Sequence, residues 1–109
     1  MRKVSKKKAA HRASKAGKDG LDYMLAVKQL PCCICGAPPP SEAHHTICSR
    51  FGSRKTSDFN TIPLCAYHHR VGPDAIHNGK ESWVEKYGPD TDYIERTRKL
   101  VEEHYDRFI

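Results

Sequence analysis

The sequence predicts a small α+β domain stapled by zinc, flanked by helices and preceded by a basic, disordered N-terminal tail. Three observations lead there: a length of 109 residues, two Cys/His pairs at metal-ligand spacing, and basic residues gathered at one end. A chain this short has room for one domain and buries little apolar surface for its size, so a staple is expected. Its five cysteines, at positions 32, 33, 35, 48 and 65, are odd in number and crowded together, which suits metal ligation better than a complete disulfide framework.

The net charge of +6 is unevenly distributed. Residues 1–20 hold eight Lys or Arg against Asp19, a balance of +7, whereas residues 21–109 hold eleven basic and twelve acidic residues, a balance of −1. Such a tail has too few apolar residues to fold alone, and its charge density suits either phosphate contact or plain solubility. The expected boundary therefore falls at residue 20, with the folded domain over 21–109. No apolar run approaches the roughly 20 residues needed to span a bilayer, and the basic N-terminus lacks a secretory apolar segment. The setting expected from this is reducing and cytoplasmic, where closely spaced Cys and His are metal ligands.

Each element follows in order. Asp19 or Gly20 is expected to cap a helix running to about Leu30 and ended by Pro31, with Leu21, Met24, Leu25 and Val27 as its apolar positions. The segment PCCICGAPPP reads as a knuckle, in which Gly36 permits a tight reversal and three prolines then hold the chain extended. A short strand in EAHHTI, a polar basic loop CSRFGSRKTSDF and a second strand at NTIPL come next, with Pro63 confining the second strand to an edge. The segment CAYHHRV then turns into a helix that Gly72 and Pro73 stop, so the order is strand, loop, strand, helix. Two helices close the chain. One covers residues 81–87 and ends at Gly88; the other runs from about Asp92 to Phe108, with Ile94, Thr97, Val101, Tyr105 and Phe108 in steps of three and four. Trp83, Tyr87 and that stripe read as packing residues over the metal core.

The strongest chemical signal is Cys32-x-x-Cys35 followed, after 29 intervening residues, by Cys65-x-x-His68. A two-residue gap lets a tight turn point both members of a pair at one ion, and two such pairs complete a tetrahedral zinc site. Four protein ligands leave no open position, so this site is assigned to structure. Cys33 and Cys48 read as small, partly buried thiols, although either is able to replace one of the four. The remaining histidines are placed differently. His44 and His45 are adjacent on a strand and leave on opposite faces, while His69 follows His68 on a helix and points about 100° away from it. One helix thereby serves two sites.

On these residues the chain resembles the HNH nuclease superfamily, whose ββα-metal (His-Me finger) motif has a His-rich first strand, a middle Asn and a final His on the helix. The match is Ala43-His44-His45, Asn60 with Cys65 after four residues, and Cys65-x-x-His68-His69. More narrowly, the stretch from Cys32 to about Gly88, with PSEAHH, RKTSDFNTIPLC, HHR, IH and YG, is similar to phage and prophage recombination nucleases of the Ref type. That resemblance covers roughly half the chain.

The resemblance implies a DNA endonuclease acting with one catalytic metal ion and leaving 5′-phosphate and 3′-hydroxyl ends. It makes His44 a ligand of that metal, His45 the general base, Asn60 the group that orients the base, and His69 a second ligand. Because His44 and His45 are adjacent, the reverse assignment stays open. His77 lies eight residues beyond His69, and after the break at Gly72 and Pro73 the chain either folds back to bring it to the ion or leaves it in a loop. Asp58 is a further, weaker candidate ligand. Imidazole suits Zn, Ni, Co or Mn by softness, yet an open site with water and phosphate oxygens also accepts Mg2+, so the catalytic cation is Mg2+ or another divalent ion. Arg50, Arg54, Lys55 and Arg70 flank the site and are expected to grip the DNA backbone. The narrower resemblance adds a RecA-type recombinase filament as a partner, and a phage- or prophage-encoded protein in the bacterial cytoplasm. Two rivals stand beside this reading. A zinc-containing nucleic-acid-binding module would bind without cutting, and a protein-binding zinc knuckle would explain the cysteines but not His45 and Asn60.

Overall fold

The computed structural model describes residues 15–50, 52 and 54–106. Helix α1 spans Lys15–Lys28, so residues 15–20, expected in the tail, are already helical. The rest of the tail and Phe108 lie outside the described residues. Gly20 is therefore no cap; it sits buried inside α1. Of the apolar positions expected of α1, Val27 is in the buried face and Leu21 and Leu25 are not. Ala26, Val27 and, just past the helix end, Leu30 enter the core, whereas Leu21 and Leu25 are 40% and 58% exposed. What selects the face is the partner, because α1 packs across the strand pair and against the last helix.

After α1, Cys32 N–H donates to the Ala37 carbonyl and Gly36 N–H to the Cys32 carbonyl, closing the knuckle at Gly36, whose φ of +74° is the left-handed conformation that glycine adopts without cost. The proline run bends at Pro39, and the Pro39–Pro40 peptide is cis. Strands β1 (Glu42–His45) and β2 (Thr61–Leu64) form one antiparallel pair, with Glu42 opposite Leu64 and His45 opposite Thr61. Both strands are edges, so Pro63 interrupts no central ladder, and its carbonyl accepts from Cys33 N–H at 2.9 Å. All four residues of β2 are buried.

A single turn of 3-10 helix (Asp58–Asn60) leads into β2, and a π-helical turn (Tyr67–Val71) follows it. Helix α2 (Lys80–Tyr87) ends at Gly88 as expected, and a 3-10 turn (Asp90–Tyr93) leads into helix α3 (Ile94–Asp106). Two apolar clusters hold these elements. Cys32, Ile47, Ile62, Leu64, Ile76 and Trp83 make the larger, beside the knuckle, with Tyr87, Tyr93 and Ile94 packed on it. Ala26, Val27, Leu30 and Val101 make the smaller, where α1 meets α3. The packing roles expected of Trp83, Tyr87, Ile94, Thr97 and Val101 are thus met. No helix among the described residues is long and apolar enough to cross a membrane.

Candidate metal centres

The knuckle and the π-helical turn bring Cys32, Cys35, Cys65 and His68 together, with one ligand atom from each lying within 4.8 Å of the others. The Cys35 and Cys65 sulfurs are 3.8 Å apart. Two Zn–S bonds of about 2.3 Å at a tetrahedral angle span about 3.8 Å, so the spacing fits zinc. His68 presents Nδ1 to Cys65 Sγ at 3.2 Å. Burial pushes the Cys32 thiol up, but backbone N–H groups of Cys35, Cys65 and Ile34 outweigh it and leave the thiol below its ordinary value, favouring the thiolate a metal binds. This four-residue cluster is compatible with a bound metal such as zinc.

Cys33 faces the other way. It packs into the larger apolar cluster, and burial, reinforced by neighbouring Cys32, pushes its thiol up to about 12. Cys48 accepts a long hydrogen bond from Asp90 N–H at 3.5 Å. Neither belongs to the cluster.

A second cluster forms where β1, the π-helical turn and the loop after it meet. His44, His69 and His77 converge with their ligand atoms within 4.8 Å of one another. His44 is buried, and its Nε2–H donates to Asp90 Oδ2 at 2.9 Å. A carboxylate only accepts, so Nε2 carries the proton and Nδ1 keeps the lone pair. That Nδ1 is buried with no hydrogen-bond partner, the condition of an atom waiting for an electrophile. His69 is arranged in the mirror sense. Its Nδ1–H donates to Glu42 Oε1 at 2.8 Å, which leaves Nε2 facing His77 Nε2 at 3.0 Å. A metal ion there would take the place of a proton shared between those two nitrogens. Carboxylates behind ligand histidines are the usual outer support of metal sites, fixing tautomer and ring orientation. The donor set therefore fits a cation.

The chain does fold back after Gly72 and Pro73 to deliver His77. Asn78 Nδ2 donates to the carbonyls of Arg70 and Gly72, while Ile76 N–H and His77 N–H donate to the carbonyls of His68 and His69. Burial holds the His44, His69 and His77 rings below the ordinary imidazole range, keeping them in the neutral form that ligates. Asp90 anchors the site from below. Burial raises its carboxyl, yet donors from His44 and from the backbone of Ile47 and Cys48 bring it down to about 2. The same backbone bonds draw Ile47 and Cys48 away from the sheet, which is why β1 ends at His45 rather than at Ile47 as expected.

His45 is not in the cluster, although it lines the same cleft of about 320 Å³ as His44, His69 and His77. Of the adjacent pair, His44 is in the cluster and His45 beside it. His45 Nε2–H donates to Asp58 Oδ1 at 2.8 Å. Asn60, expected to orient the base, has its side-chain oxygen turned to α3, where Oδ1 accepts from Arg98 Nη2 at 2.6 Å. Asp58, expected as a weak ligand, is instead the partner of His45. Arg50, Arg54 and Lys55 line the cleft. Arg70 does not line it; its guanidinium grips both oxygens of Glu42 at 2.9–3.0 Å, holding in place the carboxylate that supports His69. That guanidinium, ahead of the His69 bond, keeps the Glu42 carboxyl below its ordinary value.

Among the described residues the fold thus brings together, in a small α+β protein, a Cys/His cluster and a three-histidine cluster that opens to a basic cleft. Over residues 11–101 the chain matches a family described as a protein of unknown function, DUF968, and it belongs to that family. Comparison with curated proteins and with solved structures finds no match.

Proposed function

We propose that this chain is a metal-dependent endonuclease of the HNH type, hydrolysing phosphodiester bonds of DNA in the three-histidine cleft, with the Cys/His cluster holding a structural zinc. The observation that carries the reading is the meeting, in one basic cleft, of three imidazole nitrogens able to hold a cation and a fourth histidine outside their cluster. β1 supplies His44 and His45, the π-helical turn supplies His69 and the loop after it supplies His77, an order similar to the His residues of the ββα-metal motif.

His44 through Nδ1, and His69 and His77 through Nε2, would hold the ion, and three protein ligands leave positions for oxygen ligands. A divalent cation held there, Mg2+ or another, would supply stabilisation of the negative charge that develops in phosphodiester hydrolysis. His45 receives the proton of the attacking water at Nδ1, the ring atom not engaged by Asp58. Arg50, Arg54 and Lys55 hold the flanking phosphates, and little base readout is expected because phosphate contacts position a duplex without reading it. Glu42 and Asp90 keep their histidines oriented with the lone pair towards the site.

Incubating purified protein with single-stranded, duplex and recombinase-filament-coated DNA in Mg2+ or Mn2+ tests the reading. At least one form is cut, and His45→Ala lowers the rate by about 10²-fold to 10⁴-fold with DNA affinity unchanged. Metal-independent binding with no cutting of any form would make the protein a zinc-containing nucleic-acid-binding module instead.

A further inference from the structure

We infer that Asp58, seated against helix α1 at Gly20, is the positioning residue for His45. The inference rests on the hydrolytic reading above and adds a residue pair to it. In the 2.8 Å bond the carboxylate can only accept, so Nε2 is the His45 atom that carries a proton and Nδ1 is the atom turned away from Asp58. Both side chains are 22% exposed, enough enclosure to hold one rotamer.

The backbone of Asp58 is fixed on both sides. Ser57 Oγ accepts from Phe59 N–H at 3.2 Å, the Ser57 carbonyl accepts from Asn60 N–H at 2.9 Å, and Thr61 Oγ1 donates to the Asp58 carbonyl at 2.9 Å. Its other carboxylate oxygen meets α1. A Cβ built on Gly20 would lie 2.6 Å from Asp58 Oδ2 and 3.0 Å from Asp58 Cβ. Glycine is a poor helix former, and Gly20 sits inside α1 without a positive φ. What the position requires is space: the helix backbone must approach closely enough for the carboxylate to lie on it. Tyr23 and Phe59 pack one turn further along, with ring centroids 5.3 Å apart, and keep the helix and the 3-10 turn in register. Lys55 Nζ stands 3.9 Å from Asp58 Oδ1 but is 68% exposed and contributes little to the placement. Glu42 and Asp90 each support a ring of the three-histidine cluster; Asp58 supports the cleft histidine outside that cluster.

The test compares Asp58→Ala, Asp58→Asn and Gly20→Ala with wild type, by cleavage kinetics and by NMR of the His45 ring. In wild type the Nε2–H proton is expected to exchange slowly and to couple to a protonated nitrogen. Asp58→Ala loses that protected signal and lowers kcat about 10²-fold with KM within about twofold. Asp58→Asn, which keeps an acceptor oxygen, restores the protected proton and most of kcat. Gly20→Ala improves the intrinsic helix propensity of α1 yet lowers kcat about 10-fold by displacing the carboxylate, an effect that a helix-stabilising role alone would not produce. If Asp58→Ala fails to fold, Asp58→Asn and Gly20→Ala decide. Wild-type kcat together with a protected Nε2–H in Gly20→Ala, or wild-type kcat in Asp58→Ala, overturns the inference and leaves the hydrolytic reading standing. Wild-type protein that cuts no DNA while the NMR changes occur overturns the hydrolytic reading and the catalytic part of this inference, leaving only the pairing.

Discussion

The two clusters share a structural element and differ in almost everything else. His68 and His69 are neighbours on the same π-helical turn, yet one joins three cysteines and the other joins two histidines. The cysteine cluster is assembled from two tight turns and has four ligands, so an ion there has no free coordination position. The histidine cluster has three ligands, opens to a basic cleft, and is supported from outside by Glu42 and Asp90. Tight turns aim both members of each pair in the cysteine cluster, whereas the histidine cluster, with three such residues among those described, has its rings held by carboxylates distant in sequence.

Removing the closed site should have the largest effect. In Cys35→Ala the sulfur ligand is lost, and a domain this small is expected to lose its metal and its cooperative fold together, as zinc-stapled domains do. Metal analysis beside near-UV circular dichroism checks this, with His69→Ala as the contrasting variant that keeps one zinc and its fold. A Cys35→Ala protein with full metal content and an unchanged Tm would break the comparison.

Asp90→Ala comes next, at roughly 1 to 3 kcal/mol in denaturant unfolding for each donor it strands on His44, Ile47 and Cys48. Acid sharpens the same point. A carboxyl held at about 2 against an ordinary value of about 3.9 stabilises the fold above pH 4 and loses that contribution as pH falls towards 2. The acid branch of the Tm–pH curve should accordingly be shallower in Asp90→Asn than in wild type.

Glu42→Gln is expected to weaken metal binding at the histidine cluster by about 10-fold to 100-fold while leaving the cysteine site loaded. Titration with Co2+ or Mn2+, followed by calorimetry, distinguishes the two sites, and equal losses at both would deny them separate support. The smallest effect belongs to Cys33→Ala. It should retain all bound zinc and cost about 1 kcal/mol through lost packing in the larger cluster. Loss of zinc in that variant would return Cys33 to the ligand set.

Much of this arrangement was legible in the residues. The order of strand, loop, strand and helical turn, the end of α2 at Gly88, and the packing of Trp83 all followed from periodicity and breakers. The start of α1 is not legible because Gly20 looks like a cap, and its contact with Asp58 explains a glycine within the helix. The apolar face of α1 is legible only in part, at Val27, for a related reason: several leucine positions satisfy a helical period, and the partner surface chooses among them.

By itself the sequence picked out the pairs Cys32/Cys35 and Cys65/His68 and the division of His68 from His69. Those depend on spacings of one to three residues, which turn geometry translates directly into direction. Only the tertiary structure decided that His44 rather than His45 joins the histidine cluster, that His77 returns to it, and that Glu42, Asp58 and Asp90 stand behind three of the cleft's histidines. Glu42 and Asp90 lie 27 and 46 residues from the rings they hold. Over such separations a carboxylate leaves no periodic trace, and its partner is set by which surfaces the packed core brings together.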